Sequence, residues 1–196
     1  MLFPDYIETN VVYHVISILD LDNALKNGIK YNDKRTYKSK YLDFHIYIDN
    51  HKPDWIPSWV IRKKAIFASL NFDKYHKFHS HTAILGIKIN PNRCWVANEN
   101  LANHIYEPFI LSKIVEYEKS NKYLLKEGKN LLRQYWETSL SFNENLKKRY
   151  DQRSGYDAEV LIMHDIKPKD LKVLYIISDH YMLTSEKWKK YFCLEN

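Results

Sequence analysis

Tyr156-Asp-Ala-Glu159-Val-Leu-Ile-Met163-His-Asp-Ile-Lys-Pro168-Lys-Asp-Leu171-Lys-Val-Leu-Tyr-Ile176 is the stretch from which the rest of the chain is organised. Glu159 stands at the head of an apolar run, Val160 to Met163, and a second run extends from Leu171 to Ile177. Each has the length and β-branched content of a buried strand, and Asp165 with Lys167-Pro168 supplies the break between them. An acid at the mouth of a buried strand is held rigidly and can still face a cleft. That placement suits a residue that must meet a developing positive charge. The same residue also reads as an ordinary strand-end acid in solvent.

Composition sets the frame. A chain of 196 residues suits one domain, residues 1–196, large enough to bury a core without disulfides or metal. An apolar fraction of 45% excludes wholesale disorder. No apolar run approaches the length of a membrane span, and the start lacks the basic-then-apolar pattern of a signal peptide. Cys94 and Cys193 lie far apart without CxxC spacing, which predicts free thiols in a reduced compartment. The expectation is a soluble, cytoplasmic protein without a membrane partner. A net charge of +6 favours phosphate-bearing partners without requiring them. Only 4 glycines occur, with neither GxGxxG nor GxxxxGK[ST], which argues against a Rossmann or P-loop nucleotide site. By contrast, 16 Tyr and 5 Trp can supply stacking surfaces for bases or a nicotinamide ring as well as core.

Outward from the Glu159 stretch, Val11 to Ile16 reads as a first strand carrying Tyr13 and His14. A short helix through Leu21, Ala24 and Leu25 follows, closed by Gly28. Lys26, Lys30, Lys34, Arg35, Lys38 and Lys40 are then opposed only by Asp33, with Tyr31, Tyr37 and Tyr41 between them. Basic residues interleaved with rings describe a nucleic-acid surface, and equally a solvated loop. Pro57 is placed to start a helical turn carrying Trp59 and Arg62. Ala65 to Leu70, Ala83 to Asn90 and Arg93 to Ala97 read as further strands. His76, His79 and His81 are close in sequence, yet no HExxH or Cys partner accompanies them, so a polar loop without metal is expected. From about Glu99 to Arg149 the apolar residues recur at helical spacing, and Ser141 to Glu144 forms a capping box. Thr184 or Ser185 can cap a last helix bearing Trp188, Tyr191 and Phe192. The whole reads as an α+β chain with a helical insertion before its last strands.

The order of three features resembles the ADP-ribosyltransferase superfamily: Tyr13-His14-Val15 before a short helix and Gly28-Ile29; Ile66-Phe67-Ala68-Ser69; and Glu159 heading a late strand. It looks most like the bacterial DNA-targeting ADP-ribosyltransferase toxins. The resemblance implies a split β-sheet core and NAD as substrate. It implies that His14 bonds an NAD ribose or the nicotinamide side, with Tyr13 beside it. Ser69, or the strand around Phe67, would shape the nicotinamide pocket, and Glu159, the catalytic glutamate, would act together with His14 as the catalytic residues. A nucleic-acid acceptor, met by Lys34, Arg35, Lys38 and Lys40, and an antitoxin partner are part of the same expectation. The middle strand has no Tyr where the histidine-tyrosine-glutamate branch has one, and no Ser-Thr-Ser run is present.

The chemistry suits these residue types. Breaking the nicotinamide–ribose bond builds an oxocarbenium-like charge, which a carboxylate stabilises best where water is excluded. A neutral imidazole orients a ribose hydroxyl without adding a repelling cation. Two other readings stay open. RNA 2′-phosphotransferase-like chemistry on the same fold needs Arg or His around a phosphate, for which Arg62 and His14 are candidates. A non-catalytic nucleic-acid or protein binding module would keep the basic-aromatic surface and have no use for Glu159 beside His14.

Overall fold

Runs of β-branched and apolar residues become strands at nearly the places their sequence predicts, and the charged, periodic middle becomes helix. The computed structural model describes residues 2–32, 41–72, 76–179 and 181–192. In chain order these form α1 (Tyr6–Thr9), β1 (Val12–Ser17), α2 (Ile18–Asn27), α3 (Leu42–Asp49), β2 (Ile66–Ser69), β3 (Thr82–Ile87) and β4 (Cys94–Asn98). There follow α4 (Glu99–Leu111), α5 (Ser120–Tyr123), α6 (Lys129–Glu137), β5 (Leu140–Ser141) and α7 (Phe142–Lys148). The chain then continues through β6 (Ala158–Ile162), β7 (Leu171–Ser178), β8 (Tyr181–Thr184) and α8 (Ser185–Phe192). The fold is therefore mixed α+β with antiparallel strand pairing, and the helical segment lies between β4 and β6 as expected.

Two compact units share the chain, each assembled from separate segments. The first comprises Met1–Lys30, Phe67–Asn90 and His164–Asn196; the second comprises Tyr31–Ile66 and Pro91–Met163. In the first, strands are ordered β2-β1-β3-β7-β8. β1 pairs β3 antiparallel from Val12↔Ile87 to Ser17↔Thr82, and β3 pairs β7 with a bulge between Ile84 and Leu85. Phe3, Tyr13, Ile84 and Ile177 form its buried cluster, with Phe3 4.7 Å from the Tyr13 ring and 5.3 Å from the Tyr175 ring. Ser17 ends β1 and caps α2 by accepting from the Leu19 N–H. Gly28 closes α2 at φ 76, where a Cβ would lie 2.1 Å from the Ile166 carbonyl oxygen. Only glycine allows Ile29 and Ile166 to exchange their main-chain bonds of 2.9 and 2.8 Å beside it.

The second unit builds its sheet in the order β5-β4-β6. Trp136, Tyr135, Phe142, Ile105, Leu132, Leu161 and Ile162 are fully buried around it. The expected capping box is present, since Ser141 accepts from the Glu144 N–H. A π-helical turn, Leu124–Gly128, joins α5 to α6. Four elements escape the sequence pattern, the short strands β5 and β8 among them. The helix α3 follows the basic segment directly, and α1 is a single turn capped by Asp5. Pro57 starts no regular helix; the turn that carries Arg62 is a 3-10 turn, Arg62–Lys64. Among the described residues no helix is long and apolar enough to cross a membrane. Cys94 is buried in β4, its thiol pushed up to about 12 by that burial; Cys193 lies outside the described residues.

Candidate functional site

Within the first unit the sequence singles out Tyr13, His14, Phe67 and Ser69. His14 is half-buried on β1, and its Nδ1–H donates to the Phe67 carbonyl at 2.6 Å. In the neutral ring that bond leaves Nε2 as the acceptor nitrogen. Tyr13 is the neighbour on the strand and points the other way. It is buried in the cluster of Phe3, Ile84 and Ile177, and its hydroxyl donates to the Pro4 carbonyl at 2.7 Å. Burial raises its phenol pKa above the usual value. Tyr13 pairs with Ser69 across the β1–β2 ladder, and directly paired residues share a face. The Ser69 side chain thus falls on the Tyr13 face and not on the His14 face. Here the structure departs from a single pocket lined by His14 and Ser69 together. It is the main chain at Phe67 that meets the imidazole. The reason is the two-residue period of a strand, which separates adjacent side chains whatever their chemistry.

In the second unit Glu159 is the second residue of β6 and is 3% exposed. The expectation of an acid open to a cleft is corrected: both carboxylate oxygens are met by protein groups. Arg62 donates to Oε2 from Nη1 at 3.1 Å, and its Nη2 lies 3.1 Å from the same oxygen. The Tyr135 hydroxyl donates to Oε1 at 2.7 Å. The Arg62 guanidinium also lies 5.5 Å from the centre of the Tyr135 ring. Three elements converge: β6 brings Glu159, α6 brings Tyr135 and the 3-10 turn brings Arg62. That turn is itself pinned. Asp49, at the end of α3, accepts from the Arg62 and Lys63 N–H groups at 2.8 and 2.9 Å. A buried charge is tolerated only with partners of this kind.

The electrostatics follow from the crowding of carboxyl groups around one guanidinium. Burial disfavours the Arg62 charge, but Glu159, with Tyr135, Glu99 and Asp49, more than reverses this and raises its pKa. Burial pushes the Asp49 carboxyl up, against its two main-chain donors. Tyr135 is raised well above the usual phenol value by burial, and Tyr156 is raised by burial and then by Glu159. Glu99 is the most telling of the group. It opens α4 directly after β4, and its N–H donates to the Asp157 carbonyl at 2.7 Å, one step beyond the Asn98↔Ala158 pair. Burial, and then the charges of Glu159 and Asp157, raise its carboxyl to about 7, with Arg62 opposing. Two carboxyl groups near one arginine are thereby held in different environments, the arrangement on which acid–base chemistry draws.

Arg62 therefore faces Glu159, not open solvent where a phosphate would find it. In the sequence, Arg62 offers itself to a site only as a phosphate ligand, and neither Tyr135 nor Glu99 stands out as a site residue. A signal for Tyr135 was present: Leu132, Tyr135 and Trp136 share the buried side of a helix, and a buried phenol needs an acceptor. Lys34, Arg35, Lys38 and Lys40 lie outside the described residues. His76, read as part of a polar loop, packs between the Phe72 and Phe78 rings at 4.8 and 4.5 Å. Among the described residues no group of three or more His, Cys, Asp or Glu is placed to hold a metal ion. Set against known proteins, the chain matches no family model, no curated protein and no solved structure.

Proposed function

We propose that this protein transfers ADP-ribose from NAD to a nucleic-acid acceptor, DNA before others, with Glu159 as the carboxylate that meets the charge on the ribose. The observation that carries the reading is the pairing of environments around Arg62. Glu159 is anchored and withdrawn from water, while Glu99 beside it holds its proton up to about pH 7. In the transfer, the bond between the nicotinamide nitrogen and ribose C1′ breaks, and its electron pair neutralises the pyridinium. The acceptor nucleophile forms the new bond to C1′, and its proton passes to a base, a part Glu99 can take in its ionised form. A water-excluded carboxylate stabilises the oxocarbenium-like state between these events. His14, its tautomer set by the Phe67 carbonyl, suits a ribose hydroxyl. The reading carries a requirement: a ribose hydroxyl must share or displace the Tyr135 or Arg62 donor at one Glu159 oxygen.

The depth of Glu159 supports a second reading, a non-catalytic binding module in which Arg62, Glu159 and Tyr135 brace the core. Glu159→Gln separates the two. The catalytic reading expects NAD turnover per folded molecule to drop by about 10²–10³, with NAD affinity changed little. The brace expects a lowered melting temperature and nothing else. NAD consumption with DNA present, NAD binding and thermal unfolding are measured on the same preparations. Parent-like transfer by folded Glu159→Gln ends the catalytic assignment.

A further inference from the structure

In α8 the apolar side of the helix is turned largely to solvent, unlike the buried sides of α6 and α7. Trp188, Tyr191 and Phe192 stand at i, i+3 and i+4 and so share one side of the helix. Their rings form a chain: Trp188 to Phe192 is 5.0 Å with planes 32° apart, and Phe192 to Tyr191 is 6.5 Å with planes 52° apart. Tyr191 is 73% and Phe192 61% exposed, so the outer end of this chain has no cover among the described residues. Lysines border it on both sides. Lys187 is the i, i+4 neighbour of Tyr191, and Lys189 is the i, i+3 neighbour of Phe192. Lys190 adds a third charge, and Glu186 is the one acid in the helix. All three lysines are exposed, and none makes an ion pair among the described residues.

Exposed rings edged by cations that make no ion pair among the described residues match a polyanion that also presents flat apolar faces. Duplex DNA hides its base faces in the stack, whereas a single strand offers them. A lipid surface is the poorer match, because the apolar residues of α8 are all aromatic and no aliphatic side chain accompanies them for insertion. We infer that α8 docks a single strand of DNA, with bases stacked on Tyr191 and Phe192 and phosphates held by Lys187 and Lys189. The choice of DNA rests on the acceptor proposed above; the surface itself is independent of Glu159 and of NAD.

The test uses the full chain without NAD and a fluorescein-labelled thymidine oligonucleotide, read by anisotropy across a salt series. Tyr191→Ala and Phe192→Ala are each expected to weaken binding about five-fold or more, the loss of one stacked base. Tyr191→Phe keeps the ring and is expected to bind as the parent does. Lys187→Gln with Lys189→Gln should lower the slope of log affinity against log salt by about 0.7 per lysine. Melting curves confirm that each variant is folded. The inference is overturned by no binding to the oligonucleotide, by unchanged affinity and slope in these variants, by clear preference for matched RNA, or by capture on phosphatidylserine vesicles in place of DNA. Because no turnover is read, any of these results leaves the Glu159 assignment standing, and a failed NAD assay removes the ground for choosing DNA but not the stacking surface, which the oligonucleotide titration tests by itself.

Discussion

His14 and Glu159 are polar residues on strands of the two units, and they are held in opposite ways. His14 is half-buried and bonded to a main-chain carbonyl, a partner that no substitution removes. Glu159 is buried and bonded to two side chains, each positioned by a different element. The first arrangement orients a ring at small cost and leaves the fold insensitive to it. The second ties the stability of its unit to one charge pair, because a buried ion that loses its partner retains its full desolvation penalty. A functional carboxylate in such a setting is also part of the core, so loss of activity and loss of stability must be read separately.

Removing the cation is expected to have the largest effect. Arg62→Met leaves Glu159 buried without its counter-charge and should cost about 3–5 kcal/mol of stability. Replacing both groups, Arg62→Met with Glu159→Leu, should recover much of that loss, since an apolar pair needs no solvation. Urea unfolding of the two variants gives the comparison directly. If the single substitution costs under about 1 kcal/mol, Glu159 does not depend on Arg62 and the contrast with His14 collapses.

Glu99 gives the pH dependence, intermediate in size. Its carboxyl is raised in the folded state to about 7, from an ordinary value of 4.5. Between these values the folded protein binds more protons than the unfolded chain, so stability falls as pH rises. Its contribution is fully present below about 4.5 and is gone above about 7, an amount on the order of 1–3 kcal/mol. Unfolding measured from pH 5 to 8 should show this decline, and Glu99→Gln should flatten it. A rising or level profile in the parent contradicts the crowding of carboxyl groups around Arg62.

The smallest effect belongs to His14. His14→Ala removes one hydrogen bond from a half-buried position and should cost only about 1 kcal/mol, read by the same urea titration. A loss as large as that of Arg62→Met would show that the imidazole braces its unit as Glu159 braces the other.

What was legible in the sequence was set by local chemistry. Val160 to Ile162 and Leu171 to Ile177 are strands because β-branched runs bounded by a Pro-containing turn have few other uses. Gly28 ends α2, and Ser141 caps α7 through Glu144, because those residue types satisfy the orphan groups of helix ends within four residues. Even Glu159 was visible as the unusual acid on a buried strand. Its surroundings were not. Arg62 is 97 residues from Glu159 and Tyr135 is 24 away, so no spacing rule joins them. Nor could alternation along β1 tell that Ser69 would pair with Tyr13 and not stand beside His14. Such contacts depend on strand register and on which helix covers which face, quantities fixed by the packing of the whole unit. The tertiary structure alone decided that the glutamate read as open to a cleft is sealed, and that Glu99, unremarkable in sequence, is the carboxyl pushed up by its burial and its neighbours' charge.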